Sequence, residues 1–414
     1  MENTIDTAVI GAGVIGASVA YELQKRGHGV TLIDRQPPGS GASYGNLASI
    51  AVTEFLPVSR PSIWLQTPGW VLHPEGPIRV SPRHAPRLIP WFFKFFRAGL
   101  PWNMRRLEAQ GAALCRPALS DMQSLMAEIG LREEISQAGC LSLYANDSEF
   151  AADRERLDML DRHGFQYELI DRDHLSVLEP AISDRIARAV LLPDNRTVAD
   201  PHKIVMRLVE IVKSKDGTFE KGDVVGIEPG PDGTDIHLRG GRTLRAKKVV
   251  ICAGAFSARL SHLLKEPIPL ETERGYHTQI MSPGIHLDHS IIWPAKAFMV
   301  SPTAGGIRIG GTVEMAGLDA APNYNRAKVT VRRAKEALPD LTVKDCSEWM
   351  GHRPALPDTI PVMSASRKAP GVFYATGHGH LGLTEAATCS KFMGDLITGQ
   401  KPAIDPAPYS ITRF

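Results

Sequence analysis

The chain opens with "TAVIGAGVIGASVAYELQKRGHGVTLIDR", in which Gly11, Gly13 and Gly16 form a G-x-G-x-x-G element between an apolar run and a helical pattern. No other feature restricts the fold as much. The first glycine permits the turn, the second admits a pyrophosphate to the backbone, and the third lets helix and strand pack closely. Val14 and Ile15 begin the helix, and amides at a helix start suit an anion. Asp34 closes the second strand, 18 residues after Gly16, where a carboxylate accepts hydrogen bonds from the adenosine ribose hydroxyls. Arg35 follows it, yet the acid disfavours a 2'-phosphate. The opening is therefore a βαβ unit for a dinucleotide, either nicotinamide or flavin.

With 414 residues, 43% of them hydrophobic, the chain is long enough for two or more domains. A formal net charge of +2 supplies no whole-protein field for nucleic acid. The five cysteines contain no CxxC pair, so neither a disulfide framework nor a metal cluster is expected. His378 and His380 form an HxH pair without an obvious third ligand, which also argues against a metal. The start carries Glu2 and Asp6 and reaches its first strand at once, so no signal peptide and a cytoplasmic location are expected. No run of about 18 apolar residues marks a membrane span.

Residues 36–85 are rich in Pro, Gly and Ser and read as irregular, whereas 86–135 read as helical. Apolar Ile204, Val205, Leu208, Val209 and Val212 recur at helical spacing, followed by strand patterns in "DVVGIEP", "TDIHLRG" and "KVVICAGAF". Between about 262 and 348, "YHTQIMS", "IIWPAKAFMVSP" and "GIRIGGTVE" suggest an antiparallel sheet. The stretch "GVFYATGHGHLG" repeats the strand-turn-helix logic of the opening. The expected fold class is mixed α/β. A Rossmann-type cofactor domain, discontinuous over 1–85, 166–261 and 349–414, would be interleaved with a second, substrate domain over 86–165 and 262–348, built on an antiparallel sheet plus helices.

In combination, "GSGASYGNLASI" (39–50), "GDVVGIEP" (222–229), "VVICAGAFSARL" (249–260) and "YATGHGHLGLTEAA" (374–387) resemble the D-amino-acid oxidase family of FAD enzymes. That family includes glycine and sarcosine oxidases and D-amino-acid dehydrogenases, and the resemblance runs from Thr7 to about Gly399. It implies FAD, held non-covalently. Ser43, Gly45, Asn46 and Leu47 would lie along the flavin and pyrophosphate, Val224 would offer backbone to adenine, and Ala253 and Gly254 would pass close to the cofactor. Gly379, His380, Leu381, Gly382, Leu383 and Thr384 would meet the flavin pyrimidine edge, where a helix start stabilises negative charge. Ordinary turn or strand punctuation is the alternative, above all at Val224 and Ala253.

The same resemblance places Arg353, in "WMGHRPALPDTIPVMS" (349–364), as the arginine that grips a substrate carboxylate. A guanidinium fork fixes orientation as well as position; a structural ion-pair arginine is the alternative. Tyr276, Lys296 and Phe298 are candidate pocket walls, although alternate strand positions also serve core and solvent. His380 would bond the substrate amine or carboxylate, or simply complete the turn. The implied chemistry is hydride transfer from the substrate Cα to flavin N5, then hydrolysis of the imine. The turn and the aromatic-basic stretch 88–106 look more like the dehydrogenases, which implies a quinone or another electron acceptor. In that stretch Phe92, Phe93, Phe95 and Phe96 with Lys94, Arg97, Arg105 and Arg106 either meet the inner face of a membrane or a redox partner, or pack internally. A D-amino or imino acid is the implied substrate, with cis-4-hydroxy-D-proline or D-proline first. A general D-amino-acid dehydrogenase, a glycine/sarcosine-type oxidase and a non-catalytic FAD-carrying subunit of a heteromeric complex are the alternatives, and oligomerisation stays open.

Overall fold

The computed structural model describes residues 4–64, 69, 73 and 75–414. Its strands are β1 (Ile5–Ile10), β2 (Val30–Asp34), β3 (Ser49–Ile50), β4 (Ile78–Val80), β5 (Cys140–Tyr144), β6 (Glu168–Asp171), β7 (Arg188–Leu192), β8 (Arg196–Thr197), β9 (Thr218–Lys221) and β10 (Val224–Gly230). There follow β11 (Gly233–Leu238), β12 (Thr243–Ile251), β13 (Glu271–Ile280), β14 (Ser290–Trp293), β15 (Phe298–Thr303), β16 (Gly306–Met315), β17 (Cys346–Ala355), β18 (Val362–Ala365) and β19 (Val372–Thr376).

One sheet runs β10-β11-β12-β1-β2-β9, and β12 also pairs with β19, which carries β18 at its far edge. Its centre is parallel, with β1 bonded to both β12 and β2. Ala8, Val9 and Ile10 are buried there, as expected for strands covered on both faces. The helix Val14–Lys25 packs against the helices Pro201–Ser214 and Gly382–Ile397 beside this sheet. Asp200 starts the helix Pro201–Ser214 by accepting the amides of His202 and Lys203, and proline at the first position needs no amide partner. The five apolar positions read from its sequence are all buried.

The other sheet runs β17-β13-β16-β15-β14-β5-β7-β6, with β4 added to β16. The β13-β16, β13-β17, β14-β15 and β15-β16 pairs are antiparallel. This sheet differs from the division read in the sequence. β4, β6, β7 and the 349–355 part of β17 lie in segments assigned to the cofactor domain, yet they hydrogen-bond into the second sheet. The helices Ala85–Ala98 and Pro101–Glu128 occupy most of the stretch read as helical. Among the described residues, no helix is long and apolar enough to cross a membrane.

Candidate active site

A cavity of about 930 Å³ lies between the two sheets, at the upper end of volumes that hold small molecules and cofactors. Its lining includes Gly11, Gly13, Val14 and Ile15 from the first turn, Asp34 and Arg35 from the end of β2, and Val224, Ala253 and Gly254. Gly11 has φ +108°, and a Cβ there would lie 2.4 Å from the Cys252 carbonyl oxygen. Gly16 is not in the lining; it brings the helix onto the turn, and a Cβ there would stand 1.8 Å from the Gly11 carbonyl oxygen. Asp34 Oδ2 accepts the Ala12 amide at 2.8 Å and Oδ1 accepts that of Gln36 at 2.9 Å, which fixes the carboxylate at the cavity edge. The Arg35 guanidinium stacks 3.8 Å from the Phe256 ring centre.

Ser43 is buried, and its Oγ accepts the Val14 amide at 2.8 Å, tying the 39–50 loop to the helix start. Asn46 braces the same loop by donating from Nδ2 to the Ser43 carbonyl and accepting the Ala48 amide on Oδ1. Gly45, Asn46 and Leu47 line the cavity, and the Leu47 carbonyl accepts from Ser301 Oγ. At the far side, Gly379, His380, Gly382 and Leu383 line it too. The helix Gly382–Ile397 has no side-chain cap, and Gly382 and Leu383 at its start line the cavity, their amides without a partner among the described residues. Leu381 instead faces a smaller neighbouring pocket with His378 and Glu385. Thr384 is buried away from the lining, where its Oγ accepts the Ala51 amide at 2.9 Å. Burial in that corner pushes Glu385 up to about 8 and His378 down to about 3. Near neutrality Glu385 is thus largely protonated, and the helix start keeps its positive character.

β13 and β17 form the opposite wall, in register Glu273↔Arg353, Gly275↔Gly351 and His277↔Trp349. Two glycines within these strands leave room for large side chains to lie flat on the sheet. A Cβ on Gly275 would stand 2.5 Å from Arg353 Cζ, and one on Gly351 would stand 1.9 Å from Trp349 Cη2. The Arg353 guanidinium therefore lies across Gly275, facing the cavity, and donates from Nη1 to the Thr312 carbonyl at 3.3 Å. Among the described residues no carboxylate pairs with it within 4.0 Å. Desolvation lowers its pKa, and the nearby Glu273 charge opposes that shift. Glu273 is itself raised by burial, against the pull of Arg353 and His380.

The expected walls are corrected in two places. Phe298 is in the core, edge-on to Trp293, while its neighbour Met299 lines the cavity. Lys296 pairs with Glu336 at 2.8 Å, outside the lining. Tyr276 borders the cavity, but its hydroxyl donates to Glu314 and accepts the Asn323 amide. Burial raises its pKa to about 12, so it is a structural phenol. His380 is exposed, with Nε2 3.3 Å from the Glu54 carbonyl. His277, Trp349 and Met299 line the cavity and escaped the sequence reading; the glycines in "RGYH" and "MGHR" were the available signal of close approach.

Among the described residues all five cysteines are free, and no group of three or more His, Cys, Asp or Glu side chains is placed to hold a metal. The glycine turn, the Asp34 carboxylate, the two helix starts at Val14 and Gly382 and the cavity size together fit a flavin dinucleotide.

The family model described as FAD dependent oxidoreductase matches residues 6–396. A D-amino-acid oxidase of Bradyrhizobium diazoefficiens is 31% identical over 417 residues, covering 98% of each chain. A D-amino acid dehydrogenase of Chromohalobacter salexigens is 27% identical over 98% of this chain and 99% of its own. Among solved structures, glycine oxidase from Geobacillus kaustophilus superposes with a TM-score of 0.78 at 21% identity, covering 99% of this chain and 98% of that one. L-Proline dehydrogenase from P. horikoshii gives 0.76 at 17%, covering 100% and 98%.

Proposed function

The chain belongs to the DAO family of FAD-dependent oxidoreductases, and on that premise we propose that it is a dehydrogenase of D-amino or D-imino acids that holds FAD non-covalently. The observation that carries this reading is Arg353: a cation without a carboxylate partner among the described residues, laid flat over Gly275 inside a cavity of cofactor size. An α-carboxylate completes its fork with two parallel charge-assisted bonds. FAD, when bound, supplies the acceptor for the hydride that leaves the substrate Cα. The protein's part is positioning: Arg353 holds the carboxylate, Trp349 and Met299 wall the side chain, and the helix start at Gly382 faces the cofactor.

A ring substrate such as cis-4-hydroxy-D-proline or D-proline suits a compact wall because it has little rotamer freedom to lose. These two are expected to reduce the flavin faster than D-alanine, and their L epimers slowly, since with carboxylate and amine fixed the L form turns Cα–H away. Rapid mixing under anaerobic conditions measures this. A clear preference for D-alanine would move the substrate from imino to linear amino acids.

The acceptor we favour is a quinone, and the surface of the helix Ala85–Ala98 supports that choice. Leu88, Trp91 and Phe95 are buried, whereas Ile89, Phe93 and Phe96 form an exposed stripe at 66%, 68% and 43%, extended by Trp102 at 74%. Between Glu75 and Glu108 the sequence holds seven Arg and Lys residues and no acid. An apolar stripe with a basic rim fits an anionic membrane surface. Holoenzyme is expected to co-sediment with phosphatidylglycerol vesicles and to lose this in Phe93→Asp. Equal sedimentation of the variant would remove the stripe from the contact.

A further inference from the structure

We infer that His277 is a positioning residue for the substrate amine, acting beside Arg353. The inference rests on the proposed amino- or imino-acid reading. His277 is on β13 two residues from Gly275, so the two face the same side of the sheet, about 7 Å apart along the strand. Gly275 is where the Arg353 guanidinium lies. An α-amino acid whose carboxylate sits on that guanidinium carries its amine one α-carbon away, and a hydrogen-bond length of about 3 Å then reaches the His277 ring.

The ring is held for such a contact. His277 stacks on Trp349 with centroids 5.3 Å apart and planes 22° apart, and Trp349 is in turn packed against Gly45 and Gly351. His277 Nδ1 is 2.8 Å from the Gly45 carbonyl oxygen. A carbonyl only accepts, so Nδ1 carries the proton and Nε2 keeps its lone pair. The described residues give Nε2 no partner, and His277 lines the cavity with Arg353. Burial, with Arg308 and Arg353 nearby, brings its pKa down to about 4. The imidazole therefore stays neutral, an acceptor for an N–H of the substrate nitrogen. This arrangement selects an amine-bearing acid over a bare carboxylic acid, which Arg353 alone does not.

The test compares two ligands in the flavin-loaded enzyme. D-Proline carries the ring nitrogen, and cyclopentanecarboxylate has the same ring and carboxylate without it. His277→Asn keeps a donor for the Gly45 carbonyl and removes the distal acceptor; His277→Gln restores a polar group near the Nε2 position. In His277→Asn the half-saturating D-proline concentration is expected to rise about tenfold. The cyclopentanecarboxylate dissociation constant, read from the flavin spectrum, is expected to stay within about twofold, and His277→Gln to recover part of the D-proline loss. If both ligands weaken together, or neither does, the amine role is overturned. A wild-type flavin that no amino or imino acid reduces would instead refute the parent reading, independently of His277.

Discussion

Arg353→Lys is expected to raise the substrate concentration for half-maximal flavin reduction by about one to two orders of magnitude, for a loss of roughly 1.5–3 kcal/mol. Lysine keeps the charge but not the plane. The native guanidinium fits because Gly275 has no Cβ, so a flat group rests on the strand with its fork toward the cavity. A tetrahedral ammonium in that slot makes one contact at a time and lets the carboxylate turn. Flavin content should not change, because Asp34, Ser43 and the glycine turn are on the other sheet or its loops. Steady-state and rapid-reaction titrations with the best wild-type substrate decide the point. Unchanged half-saturation would remove Arg353 from the carboxylate.

Gly16→Ala is expected to leave the purified protein largely without flavin. The added methyl would stand 1.8 Å from the Gly11 carbonyl oxygen and 3.2 Å from Cys252 Cβ. The nearest obstacle is backbone, so no rotamer change relieves it, and the helix Val14–Lys25 has to back away from the turn. The helix start then leaves the position where a pyrophosphate would meet it. Overpacking of this kind costs about 1–3 kcal/mol or more, which weakens cofactor binding by about ten- to a hundredfold. Absorbance of flavin per mole of protein, with far-ultraviolet circular dichroism to confirm folding, gives the result. Full flavin content in this variant would show that the tight helix-turn contact is dispensable.

The cofactor half of the site was readable because its signals are local. Gly11, Gly13, Gly16 and Asp34 fall within one βαβ unit, and their spacing alone sets their geometry. Sheet membership was not readable in the same way. β7 and β17 find partners far along the chain, and nothing in their own sequences says which sheet has the open edge. On the substrate wall the difficulty was parity. Phe298 and Met299 are neighbours on β15, and choosing between them requires knowing which face of the strand meets the cavity. β13 presents Glu273, Gly275 and His277 on the side that carries Arg353, while Arg274 and Tyr276 join Glu314 on the other. Lys296 is in a short turn at 294–296, where strand alternation does not apply.

Reduction of the bound flavin by an amino or imino acid is the decisive property. Yellow holoenzyme mixed anaerobically with D-proline, cis-4-hydroxy-D-proline or a linear D-amino acid is expected to lose its visible flavin absorbance as hydride leaves the substrate. Stoichiometric flavin that stays fully oxidised across the panel would contradict an enzyme of this class and indicate a subunit that carries FAD structurally.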